Sequence, residues 1–383
     1  MHSSDPPAGP LLGPLGKGTT GARKDSPMKR TIVALVACLL VAASGATVLA
    51  QMSKLRVGFC SRVISSAAAP FAVATKMGWY KEDNVEVELV ALAGSADCVK
   101  TVSTKEIPFA LPSVEPLAAA RAQGIKAKIF YTAYQGNIYG IAVPADSLIQ
   151  KITDLKGKSI GVTNMGTGGV PVAKALIATA GMNPDKDVAI VVAGEGAQTA
   201  AMLRSKQVDA ISQFDTQYAM VENAGVKLRL LDRKEIDRYP SNGFLALDET
   251  LSARKKDAVG LARGYAKGTI FTINNPEAAV RILYEIFPEL KPTGKDEATA
   301  VRDDTKVLQA RITNWKLEKA GVKRWGENSE ANYAAYAVFL LKWGVIKEKV
   351  DAKDLVTNEL IDEINKFDAG KIISEAKAYK PGK

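Results

Sequence analysis

A glycine-rich turn is the segment of this sequence whose residue types favour ligand binding most strongly. Gly166, Thr167 and Gly168 follow a predicted strand and precede a predicted helix, Val172 to Ala180. Glycines let the backbone approach a ligand closely, and free N–H groups at a helix N-terminus favour an anion. We expect this turn to form half of an anion-binding clamp; a tight turn with a threonine cap is the alternative. It lacks the Gly-Lys-Ser/Thr ending of a nucleotide-binding P-loop.

Other candidate ligand-binding residues also follow predicted strands. Arg62 is expected to pair with a carboxylate or sulfonate, or to lie on the surface as a solvated arginine. Asp215 is expected to bind ligand N–H groups or to cap a helix. The remaining candidates offer hydroxyl groups, backbone N–H groups or an aromatic ring, and they are Ser61, Gly94, Ser95, Ser113 and Tyr134.

Histidine is nearly absent from the chain. The single histidine is His2, which lies in a segment that we expect to be removed. Its loss excludes histidine-dependent catalytic triads, histidine-ligated zinc and imidazole acid–base chemistry. We therefore predict no catalytic residue, no metal and no cofactor.

The N-terminus has the pattern of an export signal. Met28, Lys29 and Arg30 introduce an apolar run, and small residues follow it up to Ala50. This order predicts a secretory signal peptide, with residues 1–50 as leader and signal and cleavage after Ala50. A membrane anchor is the alternative. Apolar sequence continues past Cys38, so a lipid anchor there is not expected.

The charge balance changes when this leader is removed. The formal net charge of the whole chain is +10, and residues 1–50 hold five basic and two acidic residues, which leaves about +7. A mildly basic exported protein fits anionic solutes. The lysines are scattered rather than clustered, so nucleic-acid binding is not expected.

Two cysteines remain after the leader, Cys60 and Cys98. In an oxidising compartment they are able to form a disulfide, and the alternative is two buried free thiols. Their distance in the fold decides between the two, and the sequence does not give it.

The hydrophobic pattern after Lys54 alternates between strands and helices, which is typical of a largely parallel sheet flanked by helices. The pattern recurs about 100 residues later, where the strand Lys158 to Val162 corresponds to Leu55 to Phe59. We interpret the repeat as two similar α/β lobes. In open sheets of this kind, ligands bind at the loops that follow the carboxyl ends of the strands.

The C-terminal third is predicted to be helical and to pack on the first lobe. The helices are expected at 249–274, 276–287, 295–315, 328–343 and 355–367, followed by a polar, lysine-rich end, 368–383. Lobe 1 is therefore expected to comprise residues 51–141 and 244–383, and lobe 2 residues 142–243. The two crossings would lie near Ala142–Val143 and Gly243–Phe244.

Several segments together resemble a known family. They are Leu55 to Gly58, Met77 to Glu82, Gly94–Ser95, and Ile152 to Val162 followed by Gly166–Thr167. These segments resemble periplasmic substrate-binding proteins of ABC transporters of the sulfonate, nitrate and thiamine-pyrimidine type, which share a domain with the thiamine-pyrimidine synthases.

The resemblance implies a two-lobed periplasmic-binding-protein fold of type II, with a ligand held between the lobes and a hinge that closes over it. It implies a monomeric periplasmic protein whose partners are a small organic solute and the permease subunits of a transporter. We expect an anion of the sulfonate or aromatic or heterocyclic carboxylate class. The alternatives are an enzyme of the pyrimidine-synthase branch and the sensing module of a receptor.

Overall fold

The computed structural model describes residues 51–380. The predicted leader, signal peptide and Cys38 lie outside these residues. Within the described range, no helix combines the length and the apolar character that a bilayer-spanning segment needs.

Ten strands form two mixed sheets. In chain order they are β1 (Ser53–Phe59), β2 (Val85–Ala91), β3 (Phe109–Ala110), β4 (Ala127–Thr132), β5 (Ala142–Pro144), β6 (Lys158–Val162), β7 (Val188–Val192), β8 (Ala210–Ile211), β9 (Leu228–Leu230) and β10 (Gly243–Leu247). The first sheet has the order β2-β1-β3-β10-β4, and the second has the order β7-β6-β8-β5-β9. We call the first sheet with its covering helices lobe 1 and the second lobe 2.

The two sheets repeat one arrangement, as the sequence pattern indicates. β1 pairs in parallel with β2 and β3, and β6 pairs in parallel with β7 and β8. Each sheet also contains one antiparallel strand, β10 in lobe 1 and β5 in lobe 2. Both strands follow directly after the chain has crossed from the other lobe. The two-lobed α/β fold predicted from the sequence is confirmed.

Helices cover both sheets. Those before β10 are α1 (Ala69–Lys76), α2 (Trp79–Glu82), α3 (Ser95–Ser103), α4 (Val114–Ala122), α5 (Gly169–Thr179), α6 (Ala197–Arg204) and α7 (Asp215–Asn223). Those after β10 are α8 (Asp248–Ala253), α9 (Lys255–Asn274), α10 (Pro276–Ile286), α11 (Glu297–Trp315), α12 (Glu330–Lys342), α13 (Ala352–Leu355), α14 (Ile361–Ile364) and α15 (Ala369–Ala378).

An aromatic cluster forms the centre of lobe 1. Phe71 of α1, Phe244 of β10 and Tyr265 of α9 pack with ring centroids 4.8 to 5.9 Å apart. All three side chains are almost completely buried. Buried aromatic pairs in tilted or edge-on arrangements add to the free energy gained from apolar burial. The cluster fixes the C-terminal helices on lobe 1, as predicted.

Two parts of the predicted helical tail are different in the structure. The segment predicted as one helix, 355–367, contains only the short α14 and the last residue of α13, because the backbone N–H of Thr357 donates to Ile129 of β4 and Asn328 donates to the Thr357 carbonyl. These tertiary hydrogen bonds compete with helix formation. The predicted polar end instead contains α15, which is capped by Asp368 and buries Ile372 and Ala376.

Candidate functional site

A small cavity lies where the two lobes meet. Its volume is about 30 Å³. Its lining residues are Phe59, Cys60, Ser61, Ser65, Ala67, Leu111, Tyr134, Ile138, Tyr139, Phe214, Thr216, Asn242 and Arg311. Ligand pockets usually measure about 300 to 1,000 Å³. The lobes in this structure are therefore closed around a space that holds little more than a water molecule.

At one side of the cavity, the lobes meet backbone to backbone. The N–H of Ala96, at the start of α3, donates to the carbonyl oxygen of Gly166 at 3.0 Å. Gly94 has φ of +94°, and a Cβ at this position would lie 2.7 Å from the Gly166 carbonyl. Only glycine combines this conformation with such a close approach. We call Gly94, Ser95, Ala96 and Gly166 the glycine end of the cleft.

The predicted clamp residues therefore contact each other in this structure. Ser95 accepts a hydrogen bond from the N–H of Ser113 at 3.0 Å, and a Cβ on Gly168 would lie 2.5 Å from the Ser113 hydroxyl oxygen. The hydroxyl of Thr167 accepts from the N–H of Gly169 at 3.5 Å. This Thr167 contact is long, and the N-cap of α5 is Gly168 without a side-chain cap, so the anion clamp stays a prediction.

Ser61 and Glu195 form a second contact between the lobes. The Ser61 hydroxyl lies 3.2 and 3.3 Å from the two carboxylate oxygens of Glu195, and Gln217 donates to the same carboxylate at 2.8 Å. Burial raises the pKa of Glu195, and the hydrogen bonds from Ser61 and Gln217 partly oppose this shift. The contact places a partly buried carboxylate beside the cavity.

On the other side of the cavity, a buried ion pair joins the lobes. Nε of Arg311, on α11, lies 2.9 and 2.8 Å from the carboxylate oxygens of Asp215, and Nη2 lies 2.5 Å from one of them. Asn314 donates to Asp215 at 2.8 Å. The guanidinium carbon lies 4.0 Å from the ring centroid of Tyr134. Burial alone would lower the pKa of Arg311, but the Asp215 charge holds this pKa above its ordinary value.

Further contacts extend this pairing along α11 and α7. The Lys306 ammonium lies 3.4 Å from the Glu222 carboxylate, and the Asn223 side chain donates to the Asp303 carbonyl at 3.0 Å. We call this contact between α11 and α7 the helix end of the cleft. A helix from the C-terminal tail of lobe 1 thus binds directly to lobe 2.

Cys60 and Cys98 are joined by a disulfide, with their Cα atoms 5.8 Å apart. The bond connects the end of β1, where Cys60 lines the cavity, to α3, whose N-terminus contacts Gly166. It therefore supports the lobe 1 side of the glycine end.

Two of the predicted site residues take other positions. Arg62 is exposed and does not line the cavity, since the chain turns after β1 so that Ser61 is buried instead. Asp215 does not line the cavity either, because its carboxylate is held by Arg311 and Asn314. Of the ten predicted ligand-binding residues, only Ser61 and Tyr134 line the cavity.

Glu115, in the first turn of α4, is fully buried in lobe 1. It accepts a hydrogen bond from Tyr336, and burial raises its pKa. It contacts this tyrosine rather than lining the cavity.

Sequence reasoning did not identify the most informative cavity residue, Arg311. The buried face of α11 includes Val307, Leu308, Arg311 and Trp315. A charged residue in such an apolar stripe needs an opposite charge when it is buried, and this was the available signal.

A larger open groove of about 1070 Å³ lies on lobe 2. It is lined by Lys158 at the start of β6 and Asp209 just before β8, at the ends of the strands opposite to the cleft. Among residues 51–380, no three metal-binding side chains of the His, Cys, Asp or Glu type come together.

Known proteins share this fold and part of this sequence. The chain is 24% identical to the riboflavin-binding protein RibY of Chloroflexus aurantiacus, over 76% of this chain and 82% of that one. It is 20% identical to the 4-amino-5-hydroxymethyl-2-methylpyrimidine phosphate synthase of Legionella pneumophila, over 58% and 70% of the two chains.

The alkanesulfonate-binding protein SsuA of Xanthomonas axonopodis pv. citri, solved with MOPS bound, has the same fold. Its TM-score is 0.60 at 17% identity, over 80% of this chain and 99% of that one. The family model described as NMT1/THI5 like matches residues 65–279, which include strands of both sheets and more than half of the chain. The chain therefore belongs to the NMT1/THI5-like family.

Proposed function

We propose that this protein is the extracytoplasmic solute-binding component of an ABC importer and that it captures a small organic molecule between its lobes. The observation that carries the proposal is the cavity at the junction of the lobes, lined by Tyr134 of lobe 1, Tyr139 of the first crossing and Phe214 of lobe 2. Groups from both lobes contact one ligand only when the lobes are closed, so ligand binding favours closure.

The cavity walls favour a planar molecule over a compact anion. Tyr139 and Phe214 are packed edge to face with their centroids 6.0 Å apart, and Phe59 and Tyr134 add further rings to the wall. Aromatic walls bind flat ring systems by stacking and edge contacts. The name of the relative RibY, a riboflavin-binding protein, supports the aromatic or heterocyclic part of the expected solute class.

The small size of the cavity implies movement. A ring-bearing solute enters a space of about 30 Å³ only after the lobes separate. We propose that lobe 2, residues 142–243, rotates about the crossings near Ala142–Val143 and Gly243–Phe244 relative to residues 51–141 and 244–383. The closed form is then recognised by the permease subunits.

We infer that the protein does not act as an enzyme. The synthase relative raises the alternative of pyrimidine synthesis, but the only histidine of this chain is His2. Residues 51–380 therefore offer no imidazole for acid–base chemistry or metal binding. We propose that the protein is monomeric and is exported to the periplasm by its N-terminal signal.

Thermal unfolding of the purified protein with a solute panel tests this function. The panel contains alkylsulfonates, nitrate, aromatic carboxylates, pyrimidines and flavins. A ligand at 100 times its Kd stabilises the folded state by about 2.7 kcal/mol, which raises the Tm by roughly 2 to 4 °C. We expect a saturable shift with ring compounds. No shift with any compound, and no retained small molecule in native mass spectrometry, would reject solute binding.

A further inference from the structure

We propose that the ligand is an uncharged planar heteroaromatic molecule whose hydrogen-bonding edge is bound by Nη1 of Arg311 and the hydroxyl of Thr216. This inference rests on the proposed function and goes further, because it names the chemical class of the solute and the residues that select it. Two groups on opposite lobes carry it.

The first group is the guanidinium of Arg311. Its Nε and Nη2 atoms bind Asp215, and its plane packs over the ring of Tyr134. Nη1 donates to no acceptor among residues 51–380. Arg311 also lines the cavity. The arginine is thus fixed in position with one N–H group left for a ligand acceptor.

The second group is the hydroxyl of Thr216, in the first turn of α7. This residue is fully buried and lines the same cavity, and its hydroxyl oxygen has no hydrogen-bond partner within residues 51–380. Buried polar groups are nearly always hydrogen-bonded, since leaving one unpaired costs free energy. A ligand edge in the cavity would supply the missing partner.

Three other polar side chains around the cavity already have partners. Ser61 binds Glu195, and Ser65 accepts from the N–H of Ala67. Asn242 donates to the carbonyl of Leu111 and its amide oxygen lies 3.0 Å from the Ser241 hydroxyl. Tyr134 and Tyr139 also line the cavity and carry hydroxyl groups, so Arg311 and Thr216 share the cavity with two further groups able to bind a ligand edge.

The charges argue for a neutral ligand. Arg311 is the only cationic residue among those that line the cavity in the described part of the chain, and Asp215 neutralises it. The carboxylate of Glu195 lies within hydrogen-bonding distance of the cavity residue Ser61. Arg62 acts on Glu195 by its charge but does not line the cavity, so a sulfonate or carboxylate would contact no unpaired cation among the lining residues. A carbonyl oxygen or a ring nitrogen avoids this cost.

Paired probes with the same kind of ring test the inference on the purified protein. We choose thymine against orotate and nicotinamide against nicotinate, with Kd values from calorimetry. We expect a neutral member to bind at least about tenfold more tightly than its anionic counterpart, as an uncompensated charge costs more than one hydrogen bond.

Two threonine variants separate the hydroxyl from general effects on the fold. Thr216→Val should weaken the best neutral probe by about five- to tenfold, the value of one buried hydrogen bond. Thr305→Val is the matched control, because the Thr305 hydroxyl is also buried and unpartnered but does not line the cavity. The control should leave the Kd unchanged, and circular dichroism should show both variants folded.

The outcomes distinguish this inference from the proposed function. Tighter binding of the anionic probes, or equal Kd values for Thr216→Val and wild type, would overturn the inference while solute binding stands. No binding of any probe to wild type, together with no shift in the wider solute panel, would overturn both.

Discussion

The two ends of the cleft close by different physical means. At the glycine end, the lobes meet through backbone atoms. The N–H of Ala96 donates to the Gly166 carbonyl, which lies so close to Gly94 that a side chain at position 94 would not fit. At the helix end, they meet through charged side chains, Arg311 of α11 and Asp215 of α7. A backbone hydrogen bond keeps its donor and acceptor when most side chains are replaced, whereas a buried ion pair requires both charged side chains. The comparison predicts that the helix end is more sensitive to single substitutions.

The largest expected effect is that of Arg311→Met. This change leaves Asp215, whose side chain is 12% exposed, without a counter-charge in the closed form. An unpaired buried charge costs about 3–5 kcal/mol. Because separation of the lobes hydrates Asp215, we expect the cost to appear as a shift to the open form, seen as a larger radius of gyration in X-ray scattering.

The double variant Arg311→Met/Asp215→Asn is the control for this prediction. It removes the unpaired charge, so the lobes should close more readily than in the single variant. A single variant as compact as wild type would show that the helix end does not hold the lobes together.

The next largest effect concerns the disulfide behind the glycine end. Cys60→Ser/Cys98→Ser removes a crosslink between residues 38 apart in sequence. Such a crosslink contributes about 2–4 kcal/mol, mainly by restricting the unfolded chain. We expect the free energy of unfolding in urea to fall by this amount, with the helix end unaffected.

Reduced wild type should unfold like this double variant. If removal of the bond changed the unfolding free energy by less than the error of the measurement, the crosslink would have no role in supporting the cleft.

Gly94→Ala should have a smaller effect, confined to closure. The added Cβ would lie 2.7 Å from the Gly166 carbonyl, so the lobes must separate slightly or strain the turn, at a cost of about 1–3 kcal/mol. X-ray scattering should show a more open protein, and ligand binding should weaken.

Gly124→Ala is the matched control for the backbone conformation. Gly124 also has a positive φ, +86°, but an added Cβ there meets nothing within 4 Å. This variant should lose some stability without opening the cleft. Equal opening in both variants would attribute the effect to backbone strain and not to the contact with lobe 2.

The smallest predicted effect is a pH dependence at Ser61 and Glu195. Burial raises the pKa of Glu195 in the closed form above its ordinary value of 4.5. The closed form therefore binds a proton more readily than an open form with a hydrated carboxylate. Closure should weaken as the pH rises from the ordinary to the raised pKa, and it should become independent of pH in Glu195→Gln.

Glu222→Gln provides the comparison at the helix end. It removes only the partly exposed pair with Lys306, which contributes about 0–1 kcal/mol. This variant should keep the pH dependence of wild type, measured by scattering between about pH 4 and pH 8. The same pH profile in Glu195→Gln would assign the dependence to another group.

The contrast between the glycine end and the helix end also separates the features that the sequence predicts well from those that it does not. The alternation of strands and helices and its recurrence at β6 follow from local hydrophobic periods, and both are confirmed in the two sheets. The glycine turn is also a local pattern, and in the structure Gly166 of this turn approaches the Ala93 carbonyl of lobe 1 closely.

The helix end is difficult to predict because its residues are far apart in sequence. Asp215 and Arg311 are separated by 96 residues, and no local pattern indicates that they form a pair. Arg62 is the converse case, since its position after a strand predicted either a ligand contact or a solvated surface arginine, and its side chain is exposed in the structure. Side-chain direction in a loop depends on tertiary packing.

The distance between the lobes, measured with and without ligand, tests the central claim most directly. Spin labels at Leu148→Cys on lobe 2 and Val338→Cys on α12 of lobe 1 use exposed sites, and in protein that starts at residue 51 the two native cysteines are blocked by their disulfide. The probe with the largest thermal shift should move the distance distribution between two populations in wild type, and Arg311→Met should favour the open one. A single distance that neither the probe nor Arg311→Met changes would contradict capture by lobe closure.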